Sequence, residues 1–155
     1  MGRFVKPYRP KDIFSVKAKI PQKNSYSVSE REALGLAPLE DDIQKNIIDE
    51  CYYLKYQGIR VSEIIVHIPN GGNRSKSEGA KFKKMGVTAG MPDLLVPVPR
   101  NGYGSLYIEL KTKKGRIRPE QKIQMKLLED LGNKVVLCRS VAEAIQVIKD
   151  YLGIR

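Results

Sequence analysis

The seven residues SLYIELK at positions 105–111 decide the fold of this chain. Alternate side chains of a β-strand lie on the same face, so a strand here directs every second residue into the core. Glu109 and Lys111 then share the opposite face, where a carboxylate and an ammonium group lie side by side. The apolar half of the stretch faces the interior: Leu106, Ile108 and Leu110.

The stretch PDLLV at positions 92–96 predicts the neighbouring strand, from Asp93 to Val96. A hairpin between the two strands brings Asp93 and Glu109 together on one face of the sheet. Two close carboxylates raise each other's pKa unless a cation lies between them. A hard divalent cation with oxygen ligands removes this repulsion, and we expect Mg²⁺, with Mn²⁺ able to substitute. The main-chain carbonyl of Leu110 is the expected third ligand.

Two predicted helices direct polar side chains toward the interior. In the helix Leu39–Gln57, Glu40 projects into the middle of the apolar sector, which is unusual for a core position and suitable for a site residue. Gln44 lies one turn later on the same side. Gln121 falls on the inner face of a later helix. Glu40 and Gln121 therefore join the candidate site residues.

The periodicity of the remaining segments predicts an α/β sandwich around one mixed sheet, in the order α, β, β, β, α, β, α. Residues 1–38 differ from the rest because they are basic, rich in proline and without sustained periodicity, so we predict a basic arm followed by a domain over 39–155. The other predicted elements are a helix Leu39–Gln57 ended by Gly58, a strand Val61–Ile68, a short helix Ser77–Met85, a helix Pro119–Leu131, a strand Lys134–Cys138 and a last helix from the capping box at Ser140 to Leu152.

Composition restricts the function. The 155 residues carry 28 Lys and Arg against 17 Asp and Glu, and the net charge of +11 indicates a polyanionic partner such as nucleic acid. Two cysteines and one histidine exclude a disulfide framework, a structural zinc site and a zinc hydrolase with several His ligands. No P-loop, secretory signal or long apolar run is present, so we expect a cytoplasmic protein without a membrane segment.

Two basic runs flank the candidate metal site and are predicted to hold the phosphate backbone. Such contacts carry no base-sequence information, so they favour a structure-selective enzyme over a sequence-specific one. The alternative for these runs is a solvated surface. The predicted nucleic-acid contacts are Asn70, Gly71, Arg74 and Lys76 in the first run, and Lys113, Lys114, Arg116 and Arg118 in the second.

The segments IPNGGNRS (68–75), GVTAGMPDL (86–94) and YIELK (107–111) resemble the VRR-NUC family, a branch of the PD-(D/E)XK nucleases, and the resemblance extends over about residues 39–152. It implies an αβββαβ core that hydrolyses phosphodiester bonds, and a homodimer acting on branched DNA such as four-way junctions. It also implies metal ligation by Asp93, Glu109 and the Leu110 carbonyl, and a catalytic role for Lys111. Glu40 matches the acid of the family's first helix, where we expect it to act in catalysis and metal binding, and Gln121 matches its helix glutamine.

Several alternatives stay open at this stage. The chain is either an Mg²⁺-dependent endonuclease, a non-catalytic DNA-binding module on a nuclease fold, or a restriction-type enzyme that reads sequence. Glu109 and Lys111 alone would also suit an exposed cross-strand pair. His67 is either structural or a phosphate contact. The tyrosines of the first helix form either ordinary surface or a dimer interface: Tyr52, Tyr53 and Tyr56.

Overall fold

The computed structural model describes residues 31, 33–36, 39–69 and 84–155. Four helices and six strands lie within these ranges. The helices are α1 (Glu40–Tyr53), α2 (Val61–Ile64), α3 (Pro119–Asp130) and α4 (Val141–Leu152). The strands are β1 (Lys55–Tyr56), β2 (Ile59–Arg60), β3 (Val66–His67), β4 (Leu94–Val96), β5 (Leu106–Leu110) and β6 (Lys134–Cys138).

The main sheet is mixed and has the strand order β3-β4-β5-β6. The first three strands are antiparallel, and β6 runs parallel to β5 because α3 provides the crossover between them. Together with α1 and α4, the sheet gives the αβββαβ(α) order and confirms the predicted fold class. The strand before Pro97 ends at Val96, as expected for a residue that lacks the amide hydrogen for a central strand.

The two faces of the sheet carry different layers. One face packs on α1 and α4 through a single apolar core, in which Ile47, Ile108 and Ile148 are completely buried. The other face carries Glu109 and is covered by α3, since Gln121 of that helix contacts Glu109. None of the helices within the described ranges has the length and hydropathy that a membrane crossing requires.

The predicted helix Leu39–Gln57 is too long, and its last residues form a hairpin instead. α1 ends at Tyr53, and β1 pairs with β2 in antiparallel register. The two residues between the strands, Gln57 and Gly58, have φ of 52° and 85°. Two consecutive left-handed residues match the turn that joins two-residue hairpins. Gly58 therefore belongs to a turn and does not terminate the helix.

The predicted strand Val61–Ile68 is largely wrong. Its first half is the helical turn α2, and only Val66–His67 pairs with the sheet. Val61 and Ile65 are both buried and lie four residues apart, which is the helical spacing. A strand through this segment would have placed Glu63 on the same face as these two apolar residues. Tertiary packing therefore overrides the β-branched composition.

Most other predicted boundaries agree with the structure within one residue. Ser140 caps α4 because its Oγ accepts the Glu143 amide hydrogen at 3.2 Å. The predicted helix Ser77–Met85 lies outside the described residues except at positions 84 and 85. The basic arm lies outside them except at 31 and 33–36, where Arg31 is buried and forms an ion pair of 3.9 Å with Asp42.

Candidate active site

The pairing of β4 with β5 places the two central carboxylates. Leu94 lies opposite Ile108 in this antiparallel register, so Asp93 lies opposite Glu109 at the end of the ladder. Asp93 Oδ2 accepts the Leu110 amide hydrogen at 2.8 Å, which fixes the aspartate against β5. The hairpin that the sequence predicts therefore brings both acids to one end of the sheet.

Lys111 connects β5 with the first helix. Its side chain is almost completely buried, and its Nζ lies 2.7 Å from Glu109 Oε1 and 3.2 Å from Glu40 Oε2. The same nitrogen donates to the Leu110 carbonyl at 2.9 Å. Three acceptors thus match the three hydrogens of the ammonium group. This geometry excludes the alternative of an exposed cross-strand pair at positions 109 and 111.

The Glu109 carboxylate is completely buried and only half satisfied. Its Oε1 accepts hydrogen bonds from Lys111 Nζ and from Gln121 Nε2. Its Oε2 is buried without a hydrogen-bond partner among the described residues. Loss of hydration on burial raises the pKa of Glu109 to about 7, although the hydrogen bond from Lys111 acts in the opposite direction.

The other two central groups respond to the same environment. Burial raises the pKa of Asp93 above its ordinary value, and this effect outweighs the Leu110 amide hydrogen bond and the charge of Lys111. Burial alone would lower the pKa of Lys111. The hydrogen bond to Glu109 and the charges of Glu109 and Glu40 outweigh that effect, so the pKa of Lys111 rises. Lys111 is therefore a charged ammonium at neutral pH.

An open cleft of about 370 Å³ exposes part of this cluster to solvent. Glu40, Asp93 and Leu110 line it, together with Gln44, one turn along α1. Lys45, which the sequence analysis did not single out, and His67, for which two roles stayed open, also line the cleft. The His67 Nδ1 is 3.1 Å from the Asp93 carbonyl oxygen, so the ring is held beside the cleft.

Two glycines allow the close packing around the cluster. Gly90 has φ of 83°, and a Cβ there would lie 2.5 Å from the Glu120 carbonyl oxygen at the start of α3. Because glycine has no Cβ, the main chain at Gly90 can approach the main chain of Glu120 and Gln121 closely. A Cβ at Gly115 would lie 3.1 Å from Glu40 Oε1. The sequence contains both glycines, but only the folded chain shows what approaches them.

The predicted nucleic-acid contacts are described for the second basic run only. Lys113, Lys114, Arg116 and Arg118 are all exposed in the segment between β5 and α3. The first run, with Asn70, Gly71, Arg74 and Lys76, lies outside the described residues. The exposed cations therefore follow Lys111 directly in the chain, beside the buried cluster.

The carboxylates do not form a ready set of metal ligands. Within 39–69 and 84–155, no three carboxylate, imidazole or thiol groups stand in an arrangement that would hold a metal ion. Lys111 Nζ binds both Glu40 and Glu109 in this form of the site. A cation would therefore use the main-chain carbonyl and the unpartnered carboxylate oxygen as well as the remaining acids.

The mixed sheet with a lysine–carboxylate cluster at one end is a nuclease-type α/β domain. The family model for the VRR-NUC domain matches residues 40–142, and the chain belongs to this family. A solved structure described as a VRR_NUC domain protein has 30% sequence identity and a TM-score of 0.68. That similarity covers 77% of this chain and 92% of the other. Comparison with curated proteins gives no match.

Proposed function

We propose that this protein is a metal-dependent endonuclease that hydrolyses phosphodiester bonds in DNA, with branched DNA such as four-way junctions as its substrate. The observation that carries the proposal is the completely buried Glu109, whose Oε2 has no partner among the described residues, next to Asp93 and Lys111. Lys111 and Gln121 satisfy Oε1, whereas a buried carboxylate oxygen that lacks a partner is costly unless a hydrogen-bond donor or a cation binds it. The family membership supports the same activity.

The donor groups fit a hard divalent cation. Asp93 Oδ2 is bound by the Leu110 amide, which leaves Oδ1 for a ligand, and Glu109 Oε2 has no hydrogen-bond partner in the part of the chain that the structure describes. The Leu110 carbonyl accepts one hydrogen bond and has a second lone pair. These three groups, with Glu40 at the cleft, would hold Mg²⁺ or Mn²⁺. When bound, such an ion activates water and neutralises charge on the phosphate.

The remaining site residues act through position and charge. Lys111 presents a permanent positive charge at the end of β5, where it orients the attacking water or stabilises charge on the phosphoryl oxygens. Gln121 holds Glu109 through its side-chain amide, so it keeps the carboxylate in place while the other partners change. The main chain of Gly90 lies close to the main-chain nitrogen of Gln121, where a larger residue would not fit. Hydrolysis needs in-line attack on phosphorus, and these contacts position the groups before substrate arrives.

The exposed basic segment supports the proposed substrate class. Lys113, Lys114, Arg116 and Arg118 project to solvent next to the acidic cluster, and the whole chain carries +11. Contacts to phosphate read backbone path and not base identity, so a junction with several converging backbones suits them. Binding should weaken linearly in log Kd against log salt, with a slope that falls by about one for each lysine removed. A flat salt response contradicts this assignment.

We also propose a homodimer, which the family resemblance suggests. Two apolar faces within the described part of the chain offer an interface. On α1, Tyr53 is 80% exposed beside Tyr52, whereas Tyr56 belongs to β1 and packs on the core. On α3, Ile123 is 71% exposed in a stripe with Leu127 and Leu131. Light scattering on Tyr53→Lys and Ile123→Lys should yield a monomer for the variant whose face is used.

Cleavage assays test the main proposal. The protein is incubated with labelled duplex, flap, single-stranded and four-way-junction DNA, with Mg²⁺, with Mn²⁺ and with a chelator. We expect cleavage of the junction that requires the divalent ion. Asp93→Ala and Lys111→Ala should lose activity and still bind DNA. Glu63→Gln, which alters an exposed acid of α2, serves as the control.

Three outcomes distinguish the alternatives. Binding without cleavage under all metal conditions indicates a DNA-binding module on a nuclease fold. Cleavage at one base sequence in plain duplex indicates a restriction-type enzyme. Full activity in Asp93→Ala or Lys111→Ala removes the proposed site.

A further inference from the structure

Arg139, the residue after β6, forms side-chain hydrogen bonds with the turn that follows β5. Its Nη1 donates to the carbonyl oxygens of Thr112 at 2.7 Å and Gly115 at 2.9 Å, with the Lys113 carbonyl at 3.4 Å. The turn is closed by the Gly115 amide hydrogen, which bonds the Thr112 carbonyl at 3.0 Å. Lys113 and Lys114 occupy the two central positions of this four-residue turn.

The backbone of Arg139 is itself firmly held. Its amide hydrogen is donated to Glu143 Oε2 at 2.7 Å, at the start of α4. The preceding residue, Cys138, accepts the Lys111 amide hydrogen at 3.0 Å, which continues the β5–β6 ladder beside the turn. No carboxylate among the described residues forms an ion pair with the guanidinium, so its charge adds to that of the neighbouring lysines.

The turn also lies close to the side chains of Glu40 and Lys111 in the buried cluster. The position of a Cβ on Gly115 lies 3.1 Å from Glu40 Oε1 and 3.2 Å from Lys111 Cδ. Glu40 and Lys111 form the 3.2 Å pair at the mouth of the cleft. The turn therefore lies close to both Arg139 and the Glu40–Lys111 pair, so we expect a shift of the turn to disturb that pair.

We propose that Arg139 is a positioning residue: it fixes the 112–115 turn so that Lys113 and Lys114 receive the DNA backbone in register with Lys111. The proposal rests on the proposed nuclease function. Arginine suits the task because the three contacts all meet its terminal Nη1, which lies one bond further from the main chain than the Nζ of lysine and is held in the plane of the guanidinium. Arg139→Lys therefore keeps the charge and loses the geometry.

Amide hydrogen exchange tests the geometry without any activity assay. The Gly115 amide is measured in the wild type, Arg139→Ala, Arg139→Lys and the charge-matched control Arg155→Ala, which alters an exposed arginine. We expect exchange at Gly115 to accelerate at least about tenfold in both Arg139 variants, because two charge-assisted hydrogen bonds hold this turn. The amides of β5 should keep wild-type rates. Unchanged exchange at Gly115 overturns the proposal.

Binding and single-turnover cleavage test the consequence for function. With saturating junction DNA, Arg139→Ala and Arg139→Lys should both cleave about tenfold or more slowly, since small displacements of positioned groups are costly. The Kd should weaken in Arg139→Ala and stay near wild type in Arg139→Lys. Full rescue of the rate by lysine shows a role of charge alone and refutes positioning. If the wild type does not cleave, the proposed function fails, whereas the exchange result still decides whether Arg139 holds the turn.

Discussion

The stability of the metal-free protein should decrease as pH rises, because Glu109 must ionise in a buried position. The perturbation that isolates this effect is Glu109→Gln, which keeps the shape and removes the titration. Gln121 has both a donor and an acceptor in its side chain, so it can bond to either residue at position 109. Glu63→Gln makes the same change on an exposed residue and serves as the control.

The magnitude follows from the pKa of Glu109. Its rise from 4.5 to about 7 corresponds to about 3 kcal/mol of free energy. Below pH 4.5 the group is protonated in both states, so its full contribution is present. As pH increases, the unfolded chain ionises first, and the native state holds its proton until about pH 7. The wild type therefore loses about 3 kcal/mol relative to Glu109→Gln across this window, and nothing further above it.

Urea unfolding in a chelating buffer, at intervals between about pH 4 and 8, measures the difference between the two proteins. Asp93 has a raised pKa and contributes in the same direction in both proteins, so the comparison removes this shared part, whereas the repulsion between Asp93 and Glu109 stays in the measured difference. A difference that stays constant or grows with pH in favour of the wild type refutes the assignment of a raised pKa. Glu63→Gln should follow the wild type at every pH.

The same titration tests the proposed ion. A divalent cation at Glu109 favours the charged carboxylate and lowers its pKa. With Mg²⁺ or Mn²⁺ present, the loss of wild-type stability toward pH 7 should shrink, and the Glu109→Gln protein, which keeps only the other proposed ligands, should respond less. Identical curves with and without both ions contradict metal binding by this carboxylate.

The remaining predictions concern packing and the lysine. Gly90→Ala should destabilise the fold by about 1–3 kcal/mol more than Gly86→Ala in urea, because both have positive φ but only Gly90 abuts the Glu120 carbonyl. Lys111→Met should abolish cleavage while DNA affinity changes only a few-fold; retained cleavage contradicts a catalytic lysine. Tyr151→Phe removes the 2.6 Å hydrogen bond from its hydroxyl to the Val98 carbonyl and should cost about 1 kcal/mol by thermal unfolding.

The order of elements in the main sheet could be predicted because its signals are local. The alternation in residues 105–111, the capping box at the start of α4 and the proline at the start of α3 each act within a few positions. The prediction for residues 54–65 was wrong because the structure of this segment depends on tertiary contacts. Its β-branched residues pack as a helical turn, and Gln57 adopts a left-handed conformation that its residue type does not announce. Tertiary contacts decided both outcomes.

The candidate site shows the same division. Asp93 and Glu109 could be placed together because strand register follows from two alternating stretches, and Glu40 could be placed by helical periodicity. The contacts of Arg139 could not, since its three acceptors are main-chain carbonyls more than twenty residues earlier in the chain. Main-chain acceptors leave no mark on the sequence. The lack of a partner for Glu109 Oε2 among the described residues could likewise not be predicted from the sequence.

The charge balance of the cluster argues for a cationic ligand on physical grounds. Glu40, Asp93 and Glu109 lie around the ammonium of Lys111, and Lys45 also lines the cleft, in a chain whose overall charge is +11. A purely structural role accounts for Oε1 of Glu109, which binds Lys111 and Gln121, but not for Oε2, which is buried without a partner among the described residues. A cation bound to Oε2 would supply the partner that this oxygen lacks among the described residues. We therefore infer that Glu109 Oε2 binds a cationic ligand. The pH dependence of stability and its response to Mg²⁺ are the most direct tests of this inference.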